Sequence, residues 1–175
     1  MNRILVVVDM QKDFVTGCLG SEEAKSILPA VVEKVQAFEG EVVFTRDTHR
    51  EDYLNTQEGK NLPVKHCVQG TDGWELMPEL EELRVKRNAV VFDKPTFGST
   101  ALGAWMVKRH AEKPIDQIVL VGVCTDICVI SNALLLKAYL PEVPVAVDGA
   151  CCAGVTLESH KRALLAMKSC QVEIL

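Results

Sequence analysis

Six apolar runs of strand length set the strongest limit on the fold. They are 4-ILVVV-8, 41-EVVFT-45, 89-AVVF-92, 117-QIVLVGV-123, 143-VPVAV-147 and 171-QVEIL-175, and most are rich in β-branched residues. A strand that is apolar at consecutive positions needs cover on both faces, as in a parallel sheet between two layers of helices. The intervals leave room for those helices. Residues 22–38 carry Ile27, Val31, Val32, Val35 and Phe38 at helical spacing, and 98–111 and 156–168 read similarly. Residues 125–139 are apolar nearly all round, as a buried helix would be. This alternation predicts a three-layer α/β/α, doubly wound, mostly parallel six-stranded sheet. A chain of 175 residues fits one such domain, 1–175, better than two, and no repeat or linker divides it.

Composition narrows the function classes. With 48% hydrophobic and 25% charged residues, the chain suits a soluble globular protein with a sizeable core. A net charge of -5, with no basic run, argues against nucleic acid as a partner. The apolar runs are too short to cross a membrane, and the first is too short for a secretory leader with its cleavage site. Seven cysteines form no even, regular framework, so a reduced, cytoplasmic setting is expected, with most of the cysteines acting as small buried hydrophobes.

Parallel strands share a direction, and ligands in open α/β sheets bind beyond their carboxyl ends. The residues found there are Asp9 after the first strand, Asp47 and His49 after the second, Asp93 and Lys94 after the third, and Cys124 and Cys128 after the fourth. Taken singly, each has an ordinary reading as a cap, a solvated lysine or a packing cysteine. Together, an acid, a cation and a thiol are what a thiol nucleophile needs. Lys94 would favour the thiolate, and Asp9 could receive the proton. With Thr125 or Asp126 as N-cap, Cys128 would fall in the first turn of a helix, where free N–H groups and the helix dipole lower a thiol pKa and can bind an oxyanion. Cys124 lies before that cap and offers its N–H rather than its sulfur.

Residues 47–75 form a long polar connection, and loops of that length in compact domains are usually functional. Asp47 and His49, two apart in an extended segment, face the same way, and Glu58 and His66 follow in the loop. This mixed O/N set suits a divalent transition metal; a polar loop with two unrelated histidines is the other reading. Cys67, next to His66, would point to the opposite side.

Three motifs in order along the chain, DMQKDF at 9–14, DKPTFGST at 93–100 and GVCTDICV at 122–129, resemble the isochorismatase-like cysteine hydrolases. TRDTH, TQEGK and HCVQGT, at 45–49, 56–60 and 66–71, resemble the nicotinamidase (pyrazinamidase) subgroup. The resemblance implies a catalytic triad of Asp9, Lys94 and Cys128. It implies an oxyanion hole from the backbone N–H groups of Cys124 and Cys128, with a cis peptide at Val123–Cys124. It implies metal ligands Asp47, His49, Glu58 and His66 around one divalent transition metal, zinc first, with iron or manganese as alternatives. The implied reaction is cysteine-dependent hydrolysis of a small heteroaromatic amide, nicotinamide foremost, by a homo-oligomeric enzyme of NAD salvage. Another amide, such as a carbamoyl compound or ureide, is the alternative substrate. The chain departs from the family at Pro63 and Val64, where an aromatic residue often precedes the last metal histidine. Phe14, Phe97 and Trp74 are the aromatic residues left to contact a ring. Two further readings are an inactive scaffold and a vinyl-ether hydrolase of the isochorismatase type. The presence of Asp9, Lys94 and Cys128 counts against the first, and Cys128 counts against the second.

Overall fold

The computed structural model describes residues 1–175. Six strands, β1 (Arg3–Val8), β2 (Glu41–Asp47), β3 (Val90–Lys94), β4 (Gln117–Val123), β5 (Val145–Ala153) and β6 (Glu173–Ile174), form one sheet in the order β3-β2-β1-β4-β5-β6. Every neighbouring pair is parallel. Seven α-helices flank it: α1 (Lys12–Val15), α2 (Glu22–Ala37), α3 (Gln57–Asn61), α4 (Pro78–Lys86), α5 (Thr100–Glu112), α6 (Ile130–Tyr139) and α7 (Leu157–Ser169).

The two faces of β1 show why the apolar runs are continuous. Leu5 and Val7 pack with Val31 and Val35 of α2 and Leu80 and Leu83 of α4. Ile4, Val6 and Val8 pack on the other side with Leu102 and Met106 of α5, Leu136 of α6 and Met167 of α7. All five β1 residues are buried, and each such side chain contributes about 1.5–3 kcal/mol on burial. An alternating pattern would have left one helical layer without a surface to cover.

Several elements differ from the sequence reading: the short helices α1 and α3 are absent from it, α3 lying inside the connection read as a polar loop. Helix α4 is absent too. Pro78 stands at the start of α4, but only Leu80 and Leu83 are buried, too few apolar positions to mark a helical stripe. Strand β5 runs on past 147, because residues 148–151 bulge out opposite Val121 before pairing resumes at Gly122–Cys152. Polar Asp148 and Gly149 interrupt the apolar run there and hide its continuation.

The strand order puts the topological switch between β1 and β4, with β2 and β3 on one side and β5 and β6 on the other. Gly122 holds the two strand ends close together there. Its φ is +116°, and a Cβ at this position would lie 2.1 Å from the Val8 carbonyl oxygen. Gly122→Ala is therefore expected to destabilise the fold by more than ~1 kcal/mol from the positive φ alone, with the clash added. Urea unfolding followed by circular dichroism reads this as a lower midpoint at unchanged slope.

Candidate active site

Asp9 directly follows β1 and takes a left-handed conformation, φ 49°, which aspartate tolerates better than most residues. The turn aims its carboxylate along the carboxyl edge of the sheet. Oδ1 accepts a hydrogen bond from the Thr45 hydroxyl at 2.7 Å, and Oδ2 lies 2.6 Å from Lys94 Nζ. The parallel register that sets Asp47 beside Lys94 delivers the lysine from the end of β3. Lys94 Nζ also lies 3.5 Å from Asp47 Oδ1 and 3.4 Å from Cys128 Sγ. Asp9, Lys94 and Cys128 thus meet in one buried cluster.

The charges in the cluster hold one another. Burial opposes a charged Lys94, but Asp9, Cys128 and Asp47 outweigh it and push the ammonium pKa well above the ordinary lysine range. Burial raises the Asp9 pKa, with Lys94 pulling it down and Asp47 pushing it up. The Cys128 thiol is pushed well above its ordinary range by burial and by Asp9, against the pull of Lys94. Lys94 does favour the thiolate, as its place in the sequence suggested, but burial outweighs it. The enclosed site thus disfavours a second negative charge, on sulfur, beside Asp9.

The turn bearing the two cysteines differs from expectation in its cap. The five residues Thr125–Val129 form a π-helical turn leading into α6, and the N-cap position is Cys124. Neither Thr125 nor Asp126 caps it. Their side chains turn toward α7, Thr125 Oγ1 to His160 Nδ1 at 2.8 Å and Asp126 Oδ1 accepting the Val155 N–H at 3.1 Å. They brace the turn against the start of α7 instead. Cys128 does lie in the first turn, where the Ile127 and Val129 N–H groups on either side of it both donate to the Cys124 carbonyl, at 3.1 and 3.0 Å. The Cys124 N–H donates to no backbone acceptor, and the Val123–Cys124 peptide is cis. Burial and the charges of Asp126 and Asp9 push the Cys124 thiol up to about 12, with no cation beside it to offset them as Lys94 does at Cys128.

Beside this cluster, Asp47, His49, Glu58 and His66 bring one donor atom each to within 4.8 Å of one another. Glu58 arrives on α3, whose start is capped by the Thr56 hydroxyl accepting the Gly59 N–H at 3.0 Å. The long loop folds back because His49 bridges Val68 in parallel, with the His49 N–H donating to the Cys67 carbonyl at 2.9 Å. His66 Nδ1 donates to the Val64 carbonyl at 2.8 Å, because a carbonyl can only accept. That leaves the Nε2 lone pair of His66 facing the cluster. Buried His49 Nε2 lies 2.9 Å from Asp47 Oδ2 and 3.5 Å from Glu58 Oε1 but makes no well-aligned hydrogen bond to either. Burial opposes ionisation of Asp47, but the nearby His49 and His66 imidazoles and Lys94 hold its carboxyl below the ordinary range. Two imidazole nitrogens and two carboxylates, converging and partly unsatisfied, fit a divalent transition metal. Cys67 offers no ligand atom to the group; it too has a positive φ, 46°, and its N–H donates to Asp13 Oδ2 at 2.8 Å.

Both groups open into one cleft of about 740 Å³, where Asp47 and Glu58 line one part and Cys124 and Cys128 another. Phe14, Phe97, Leu62, Ile127 and Val155 supply apolar walls. Trp74, expected among the ring contacts, does not line it. Its Nε1 donates to Thr48 Oγ1 at 2.8 Å, and the Arg46 guanidinium covers its ring at 3.6 Å. Sequence reasoning placed an aromatic residue near the loop, but spacing cannot tell which face it turns.

Three supporting residues went unnoticed in the sequence. Gln11 is fully buried; its Nε2 donates to the carbonyls of Asp47 and Trp74, both at 2.9 Å, and its Oε1 accepts the Asp47 N–H at 2.7 Å. It ties the DMQKDF segment to the metal-ligand strand. Its place inside that motif is the one signal that marked it. Thr45 orients Asp9, and buried Tyr53 packs against the rings of His49 and His66 at centroid distances of 4.5 and 5.0 Å. A lone threonine in a strand and a lone tyrosine in a loop carry no such signal.

A family model, the isochorismatase domain, matches residues 3–175. The solved nicotinamidase/pyrazinamidase of Bacillus subtilis is similar with a TM-score of 0.85 and 29% identity, with 99% of each chain covered. A pyrazinamidase of Pyrococcus horikoshii, solved in complex with zinc, is similar with a TM-score of 0.81 and 28% identity, covering 100% of this chain and 99% of that one. The nicotinamidase/pyrazinamidase of Mycobacterium tuberculosis is 27% identical over 190 residues, covering 98% of this chain and 97% of its own.

Proposed function

This chain belongs to the isochorismatase domain family, and from that premise we propose that it is a cysteine-dependent amidohydrolase converting nicotinamide to nicotinate and ammonia. One observation carries the reading. A single cleft is lined at one part by the thiol of the buried thiol–acid–lysine cluster and at another by two members of a four-ligand metal cluster. A small ring amide with a ring nitrogen has a group for each. A carbamoyl compound or ureide would use only the thiol side. Asp47, His49, Glu58 and His66 would hold the metal, which when bound offers a coordination position to a ring nitrogen.

The chain's own groups account for the chemistry. Asp9 takes the Cys128 proton as the sulfur attacks the carboxamide carbon, and the new C–S bond leaves the charge on oxygen. The N–H groups of Cys124 and Cys128 receive that oxyanion. Asp9 returns the proton to the nitrogen as the C–N bond breaks and ammonia leaves. Water, deprotonated by Asp9, then attacks the thioester; the C–S bond breaks and the thiol is restored. Lys94 keeps Asp9 anchored and offsets the negative charge that passes between carboxylate and sulfur. The apolar walls exclude bulk water and strengthen these interactions. Seven unpaired cysteines, the nucleophile among them, support a reducing cytoplasmic setting.

Ammonia release measured over a panel of nicotinamide, ring-less amides and ureides tests the substrate class; a preference for a ureide would replace nicotinamide. Elemental analysis tests the metal, with zinc, iron and manganese as the candidates. Wild type is expected to carry about one transition-metal ion per chain, and His49→Ala to lose it while remaining folded. A metal-free wild type that stays fully active in chelator would remove the ion from the reaction.

A further inference from the structure

Asn132 has no role in the chemistry above, yet it is fully buried and all its polar atoms are engaged. It lies one helical turn after the nucleophile, on α6. Its Nδ2 donates to the Cys128 carbonyl at 2.8 Å and to the Phe97 carbonyl at 3.1 Å, and its Oδ1 accepts the Ser99 N–H at 2.9 Å. Two of the three partners are carbonyls and the third is an N–H, so the amide can sit only one way round. Ser99 in turn caps α5, its hydroxyl accepting the Leu102 N–H at 3.1 Å.

The segment held in this way runs from Lys94 to the start of α5, and Pro95, Thr96 and Phe97 all line the cleft. Phe97 is 45% exposed, so its side chain has little packing of its own to hold it. Gly98 permits the close approach: a Cβ there would sit 3.3 Å from Leu135 and 3.4 Å from the Ser131 carbonyl oxygen, both on α6. The side-chain amide of Asn132 therefore fastens this wall of the cleft to the helix into which the thiol-bearing turn leads.

We propose that Asn132 is a positioning residue that fixes the gap between the Phe97 wall and the Cys128 thiol, and so selects flat aromatic amides. The selectivity half of this inference rests on the ring-amide reading above. Phe97 contacts the ring in ground state and transition state alike, so loosening it raises KM and leaves kcat nearly unchanged. The worth of one aromatic contact sets the expected rise in KM for nicotinamide at about three- to tenfold.

The test compares wild type, Asn132→Ser, Phe97→Ala and the double variant. Each is measured for KM and kcat on nicotinamide, for alkylation of Cys128 by iodoacetamide, and for amide hydrogen exchange over residues 96–99. Asn132→Ser is expected to raise KM, speed exchange at 96–99, and leave kcat and alkylation close to wild type. Phe97→Ala, whose exposed side chain makes folding safe, is expected to raise KM by a similar factor, and adding Asn132→Ser to it to raise KM no further. A fall in kcat and alkylation at unchanged KM, or full additivity in the double variant, overturns the proposal. Should wild type not turn over nicotinamide, the functional reading fails by itself. Exchange at 96–99 then decides: faster exchange in Asn132→Ser supports the fastening, and unchanged exchange overturns it.

Discussion

Cys128→Ala is expected to abolish ammonia release from nicotinamide, by about four orders of magnitude or more, while Cys124→Ser keeps most of the wild-type rate. The two cysteines are four residues apart on one turn and line one cleft, so proximity does not separate them. Their surroundings do. The Cys128 sulfur lies 3.4 Å from Lys94, in the cluster that contains the Asp9 carboxylate, so a base and a counter-charge are both at hand. The Cys124 sulfur has neither, and burial and the charges of Asp126 and Asp9 raise its pKa to about 12. Its contribution is a backbone N–H without a backbone acceptor, and serine keeps that N–H in place. The exchange of sulfur for oxygen at position 124 removes nothing from the proton path. Ammonia release by the two purified variants checks this, and an inactive Cys124→Ser beside an active Cys128→Ala would reverse the roles.

The split between what was legible and what was not follows the range of the interactions. Strand runs such as 4-ILVVV-8 announce themselves because burial on both faces imposes composition on every position. The parallel sheet then predicts, with no further information, that Asp9, Asp47, Lys94 and Cys128 share an edge. The cap of the nucleophile turn was misread because Thr125 and Asp126 are good cap formers, yet His160 and the Val155 N–H, both distant in sequence, claim their side chains. Trp74 was misplaced for the same reason: its partners are Thr48, 26 residues back along the chain, and Arg46 in β2. Gln11 is one polar residue among the charged ones of DMQKDF, and Asn132 follows Ser131 in a largely apolar helix, so neither stands out. Their importance lies in backbone groups dozens of residues away, which no local pattern records. Spacing reports the neighbours of the thiol and not its burial, and burial is the largest influence on Cys128.

Asp9→Asn is expected to uncouple the thiol's acidity from turnover: Cys128 becomes more acidic while nicotinamide hydrolysis falls by about 10²- to 10⁴-fold. The sign follows from the charges in the cluster. In wild type, ionising Cys128 adds a negative charge beside a carboxylate, and burial and Asp9 together hold the proton on sulfur. Asparagine removes that carboxylate and leaves Lys94, 3.4 Å from the sulfur, as the nearest full charge. The thiolate is then favoured, and its titration moves to lower pH. At neutral pH the thiolate fraction rises, so iodoacetamide alkylates Cys128 faster than in wild type. Turnover still collapses, because asparagine can neither accept the thiol proton nor return it to the departing nitrogen. A thiolate alone attacks and then faces the expulsion of an amide anion, which reverses the addition instead of releasing ammonia. Alkylation rate against pH, set beside ammonia release, reads both halves of the prediction. If Asp9 only oriented Lys94, the alkylation profile of Asp9→Asn would stay in place or move to higher pH, and the proton path assigned to this carboxylate would have to run through another group.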